Sequence, residues 1–283
     1  MPGLRPDGTF DVERIGLQRS FSEDFFHILM TTSWPKLIGA GLVLWLLLNL
    51  VFALLFLAVP NGIANARPGS FIDHYAFAVQ TSATIGYGAM APARPAAHIL
   101  VTVLSYLGTL YTATLTGVVV AKFARPTARV LFAEKLVLFE VDGHPQLQLR
   151  MANARGNQMV EARVRVSILR NEVSGHGQMR RIRDLKLVRN ETAAFNLTWT
   201  VMHDIEPDSP LRGETPESVL ASQTLVTVTI LGLDETTGQT VHARRAYQPA
   251  DIAWGHRYVD VIETLPDGRR RIDYTRFHDT VPT

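Results

Sequence analysis

Hydrophobic and polar positions are distributed unevenly along this chain. Residues 37–59 are apolar except for Asn49. An α-helix rises about 1.5 Å per residue, so a run of this length crosses the roughly 30 Å hydrocarbon core of a bilayer. The run has no polar face, which the surface helix of a soluble protein would keep. A second apolar stretch covers residues 97–123 and carries Ser105, Thr109, Thr112 and Thr116 at helical spacing. Lipid offers such a stripe nothing, whereas water or another helix does. Any single Thr on it can also bond back to its own helix.

From Val130 onward the period changes to two. Arg163-Val164-Arg165-Val166-Ser167-Ile168 alternates, as does Thr227-Val228-Thr229-Ile230. Asp142-Gly143 and Asp267-Gly268 are hairpin turn signals. Short strands at this spacing predict a β-sandwich. One short helix is predicted over residues 216–221, with Thr215 as cap and Pro216 at its first position. Ahead of the first span, Phe21, Phe25, Leu29 and Trp34 lie near one helical face, with Ser22, Glu23, Asp24 and His27 between them. That pattern suits a short helix in the membrane interface, or one packed on the soluble region. Pro35 then breaks the chain before the span. Three regions follow: an N-terminal segment, 1–35; a transmembrane region, 36–125; and a β-sandwich, 126–283.

Charge adds orientation. Arg14, Arg19 and Lys36 precede the first span, and Lys122, Arg125 and Arg129 follow the second. The connection between the spans holds only Arg67 and Arg94, so the positive-inside rule puts both termini in the cytoplasm. No cleavable signal peptide is expected, because the first thirty residues lack a basic start, an apolar core and a cleavage site. A formal net charge of +2 without a basic stripe argues against nucleic-acid binding. The absence of cysteine excludes disulfides and thiolate metal sites. Enzyme signatures such as H-E-x-x-H, a phosphate loop ending in Lys-Ser or Lys-Thr, and a nucleophile elbow are also missing.

The chemistry sits between the spans. Ser70 and Asp73 form an S-x-x-D capping box, so a short helix is predicted to start there and to have about three turns before Thr84. A helix that short cannot cross a bilayer and fits a re-entrant segment lining a cavity. It leads into Thr84-Ile85-Gly86-Tyr87-Gly88. This stretch resembles the potassium-channel selectivity filter, in which four strands offer carbonyl oxygens in place of the ion's water shell. Gly86 and Gly88 can take the unusual backbone angles that such a strand needs. Thr84 can add a hydroxyl, and Tyr87 is expected to point outward and brace the strand. Thr84, Ile85, Gly86 and Tyr87 are thus the expected K+ sites. The C-terminal end of the short helix would turn its negative dipole end toward the cavity.

The two spans, the filter and the β-rich C-terminal half together resemble the inward-rectifier potassium channel family, most closely its bacterial members. Beyond the filter, the resemblance rests on Ala121-Lys122-Phe123-Ala124-Arg125-Pro126, Met151-Ala152-Asn153-Ala154-Arg155, Asp184-Leu185-Lys186-Leu187-Val188-Arg189, Trp199-Thr200-Val201-Met202-His203 and Arg257-Tyr258-Val259-Asp260. It implies an α + β membrane protein: two transmembrane helices with a re-entrant pore helix and filter, plus a C-terminal immunoglobulin-like β-sandwich in the cytoplasm. It also implies a homotetramer in the cell (inner) membrane that conducts K+ passively, without a cofactor. Thr112 and Thr116 would line the cavity. Val120 would form the gate at the inner helix crossing, with Gly108 as a hinge or packing position. A second constriction would map to Gly232-Leu233 and Gly238-Gln239. Lys122, Arg125 and Arg129 would meet anionic phospholipid headgroups. Several positions depart from relatives: Gln80 and Met90 replace an ion pair behind the filter, Ala89 replaces an acid after it, Thr112 replaces the Asp of strong rectifiers, Val120 replaces a larger aromatic residue, and Ser174 to Gly177 lack acids. A weakly selective cation channel and a membrane-anchored binding or receptor protein are the alternative readings.

Overall fold

The computed structural model describes residues 21–124, 128–175 and 177–283. Arg14, Arg19, Arg125 and Pro126 lie outside them. The described residues form two compact units, divided between residues 124 and 128.

The first unit is helical. Helix α1 covers Phe21–Thr31 and α2 covers Trp34–Leu57, with Pro35 in its first turn. A two-stranded ribbon, β1 (Ile63–Ala64) with β2 (Ala91–Pro92), brackets helix α3 (Phe71–Ser82). Helix α4 covers Pro95–Phe123. Helices α2 and α4 have 24 and 29 residues. At 1.5 Å per residue they reach about 36 and 43 Å, enough to cross a membrane, whereas the 12 residues of α3 reach only about 18 Å. Ile38, Leu42, Val43, Leu44, Leu47 and Val51 stand exposed along α2. A face that apolar matches hydrocarbon and not water. The buried side of the unit joins α2, α3 and α4. Phe52, Ala53 and Phe56 of α2 pack on Phe77 and Ala78 of α3 and Leu104 of α4, with the Phe56 and Phe77 rings 5.1 Å apart.

The second unit is a sandwich of two five-stranded sheets. Its strands begin with β3 (Val130–Phe132), β4 (Leu136–Val141), β5 (His144–Asn153), β6 (Met159–Ser174), β7 (Gly177–Asp184), β8 (Glu191–Phe195) and β9 (Thr198–Asp204). Helix α5 (Pro216–Ala221) then precedes β10 (Leu225–Asp234), β11 (Gln239–Tyr247) and β12 (Ile252–Trp254). One sheet runs β11-β10-β6-β7, with β8 also on β6; the other runs β12-β4-β5-β3, with β9 also on β5. The period-two pattern becomes a buried face here. Val164, Val166 and Ile168 of β6 and Val226, Val228 and Ile230 of β10 meet Leu147, Leu149 and Met151 of β5 in one core. Asp142 and Gly143, both at positive φ, make the β4–β5 turn. Helix α5 starts where its signals predict, with Thr215 and Ser218 in a reciprocal capping box. Two buried phenols pin the second sheet: Tyr247 donates to Ala133 O at 2.7 Å and Tyr258 to Lys135 O at 2.6 Å.

Candidate functional site

The loop before α3 closes on its first turn. Arg67 donates to the Asp73 carboxylate from its backbone N, its Nε and its Nη2, at 2.8, 2.9 and 2.8 Å. Ser70 Oγ accepts from Asp73 N at 3.3 Å, the capping bond that the S-x-x-D pattern predicts. A short helix this far from its neighbours in sequence needs such a start, because nucleation is costly.

At the other end of α3 the chain turns into the Thr84–Gly88 stretch, and its first amides are bonded. Ala83 N donates to Val79 O, Thr84 N to Thr81 O and Ile85 N to Gln80 O. Thr84, Gly86 and Gly88 then have φ of 54°, 60° and 79°, while Ile85 and Tyr87 between them do not have positive φ. A pleated strand points successive carbonyls to opposite sides. Alternating the sign of φ can turn them to one side, which is what ion coordination requires. Gly86 and Gly88 adopt this backbone at little cost. Thr84 does not: a β-branched residue at positive φ stores on the order of 1–3 kcal/mol and persists only where its surroundings impose it. Ile85 and Tyr87 are 45% and 73% exposed in the single chain, so one copy leaves the strand bare.

The base of the filter is held from two directions. Ser82, the last residue of α3, donates from Oγ to Asn49 Oδ1 at 2.7 Å. Asn49 in turn donates from Nδ2 to Trp45 O at 2.8 Å within α2. On the other side, α4 passes so close that a Cβ on Gly108 would lie 2.4 Å from Ser82 O. Gly108 is therefore a close-approach position between α4 and α3. Asn49 carried a signal in the sequence, as the lone polar residue of the first span; Ser82 carried none.

Gly108, Thr112, Thr116 and Val120 recur every fourth residue along α4 and form one slowly turning stripe. Gly108 is buried under α3, whereas Thr112, Thr116 and Val120 are exposed in the single chain. Thr112 Oγ1 donates to Gly108 O at 3.0 Å and Thr109 Oγ1 to Ser105 O at 2.9 Å. These two hydroxyls satisfy themselves locally and leave oxygen lone pairs outward. Tyr111 ties α4 to α2 by donating to Gly41 O at 2.9 Å.

Of the basic positions, Lys122 has an unexpected placement. Its Nζ donates to Leu29 O at 3.4 Å, Met30 O at 3.0 Å and Thr32 O at 2.5 Å. Leu29 and Met30 carry open carbonyls in the last turn of α1 and Thr32 lies just past it, where the helix dipole favours a cation. The same ammonium lies 5.5 Å from the Trp34 ring, and Phe123 stacks on that ring at 4.5 Å. Lys122 thus fastens α1 to the end of α4. Arg129 is exposed, and Arg125 lies outside the described residues.

The four positions expected at a second constriction share one hairpin. Gly232 and Leu233 lie just before the end of β10, Gly238 precedes β11, Gln239 begins it, and Leu233 pairs with Thr240. The pairing with β6 shifts between Leu231 and Leu233. Met159 fills the space where a Gly232 Cβ would sit, 2.5 Å from its Cγ. Asp234 organises the turn. Its Oδ1 accepts from Thr236 N and Thr237 N, and its Oδ2 from Asn157 Nδ2 at 2.7 Å and Arg155 Nη1 at 3.2 Å. Burial pushes this carboxyl up, but those four donors outweigh it and hold it below its ordinary value.

Comparison with known proteins covers nearly the whole chain. Residues 130–283 match the family described as the inward rectifier potassium channel C-terminal domain, and residues 40–125 match the family described as ion channel. The inward rectifier potassium channel Kirbac3.1 of Paramagnetospirillum magnetotacticum is 44% identical over 98% of this chain and 94% of its own length. The ATP-sensitive inward rectifier potassium channel 12 of Gallus gallus is 29% identical over 98% of this chain and 71% of its own length. A solved voltage-gated K+ channel pore module aligns with 30% of this chain and 88% of its own length, at 20% identity and a TM-score of 0.26.

Proposed function

The chain belongs to the inward rectifier potassium channel family, a family of membrane ion channels and not of enzymes, and we propose that four copies of it enclose a potassium-selective pore. The observation that carries this reading is the run of alternating φ at Thr84, Gly86 and Gly88, placed at the end of a capped short helix between two membrane-length helices. Backbone carbonyls of Thr84, Ile85, Gly86 and Tyr87 take the place of water around K+. Flow is passive, and no cofactor takes part.

Thr112 and Thr116 line the water-filled cavity below the filter. Val120 is the gate, because four apolar side chains brought together can close a pore by dewetting. Gly108 lets α4 lie against the filter base and limits how α4 can bend there. Gly232, Leu233, Gly238 and Gln239 form a second narrowing in the cytoplasmic domain. Anionic phospholipid modulates the channel through Arg125 and Arg129, each worth about 1 kcal/mol at an anionic surface. Lys122 joins them only when its bonds to α1 open. The protein sits in the inner membrane with both termini in the cytoplasm, and residues 1–35, 36–125 and 126–283 serve as interfacial segment, pore and cytoplasmic domain.

Purified protein in liposomes should carry a potassium flux that barium blocks, and Gly86→Ala should be silent in the same assay. Flux that survives Gly86→Ala would place the ion path elsewhere in the protein.

A further inference from the structure

A carbonyl cage discriminates between ions only while its oxygens keep their number and spacing, so what anchors the two ends of the filter matters as much as the oxygens. Gln80 and Met90, which flank the filter, are uncharged and cannot form an ion pair with each other. Two asparagines reach the two ends instead.

At the inner end, Asn49 is 0% exposed and Ser82 is 3% exposed. Their 2.7 Å hydrogen bond lies inside the membrane unit, only two residues before Thr84. An amide left unpaired in hydrocarbon is costly, so this pair has few alternatives and its geometry is strongly imposed. Ser82 is further confined by Gly108, whose Cα surface meets its carbonyl. At the outer end, Asn65 Nδ2 donates to Ala89 O at 2.8 Å, on the residue that follows Gly88. Asn65 has a φ of 65°, a left-handed conformation that asparagine tolerates better than most residues. It directly follows Ile63 and Ala64, which pair with Pro92 and Ala91 and so anchor it to the far side of the filter.

We propose that Asn49 and Asn65 are positioning residues of the filter: Asn49 fixes its inner end through Ser82, Asn65 fixes its outer end through the Ala89 carbonyl, and together they set the preference for potassium over sodium. The proposal rests on the reading of this chain as a potassium channel. Neither residue touches the ion. The sequence alone shows only two isolated asparagines; the structure places one at each end of the filter strand.

The test is the potassium-to-sodium permeability ratio of the full-length protein in liposomes, measured on tetramers checked by size. Asn49→Leu removes the inner bond and should lower the ratio about tenfold while cation flux persists. Ser82→Ala should lower it to the same degree, and the double variant should be no worse than either, because the Asn49–Ser82 bond is lost in all three and the Asn49–Trp45 bond lies within α2, away from the filter. Asn65→Asp keeps the shape and the left-handed tolerance but loses the N–H donor. It should lower the ratio several-fold and weaken barium block. Asn65 is exposed in the single chain, so this variant folds even if Asn49→Leu does not. Wild-type ratios in Asn65→Asp and in Ser82→Ala would overturn the proposal. A wild-type protein that already passes both ions equally would overturn the potassium-selective reading beneath it, which is a separate result.

Discussion

A Cβ at Gly108 would meet the Ser82 carbonyl at 2.4 Å, and backbone on both sides leaves little room to yield. Gly108→Ala should therefore push α4 off the filter base and reduce potassium flux at least about tenfold, with a lower melting temperature of the tetramer in detergent. An unchanged flux would show that α4 can move freely there. At this scale the positive φ of Gly86 and Gly88 was legible in the sequence, because the backbone expected there demands glycine. Thr84 was legible as a hydroxyl but not as a backbone outlier. A β-branched residue avoids positive φ on its own, and here it goes with amides folded back on α3, which no local pattern announces. Asn49 stood out as a polar residue in an apolar run, yet its partner lies 33 positions away. Pairings of that range leave no local trace.

Among the elements, the α1–α4 fastening follows from one side chain. Lys122→Met keeps the length and apolar stem of the side chain but removes three donors from the α1 carbonyls. It should change how often the pore opens while leaving the potassium-to-sodium ratio intact, since the filter is untouched. A single-channel recording separates the two quantities, and a changed ratio would contradict this division of labour. The β10–β11 turn depends likewise on Asp234. Its pKa is lowered in the fold, so its contribution to stability is present above the ordinary carboxylate range and is lost as pH falls through the lowered value. Asp234→Ala should lower the melting temperature and remove part of its acid sensitivity below the ordinary carboxylate range. A melting curve that depends on pH as the wild type does would refute that role. Elements with local signals were readable in the sequence: α3 from Ser70 and Asp73, α5 from Thr215 and Pro216, β6 and β10 from alternation. The parallel pairing of β12 with β4 and the sharing of β6 among β7, β8 and β10 were not, because such neighbours are chosen by burial across the whole domain. The role of Lys122 was hidden for the same reason.

For the whole molecule, exposure makes the argument for assembly. Ile85, Tyr87, Val120 and Phe123 are all 45% or more exposed in a single chain. A filter strand with its carbonyls on one side is useful only when other copies complete the ring. The protein should therefore run as a tetramer after mild detergent extraction, and a stable monomer would contradict the pore described above. The most direct test of that pore is the ratio of potassium to sodium flux through the reconstituted protein, with barium as the blocker. The alternating backbone at Thr84, Gly86 and Gly88 predicts a barium-blocked flux that strongly prefers potassium. Equal passage of sodium, or no flux from folded tetramers in any lipid mixture, would contradict it.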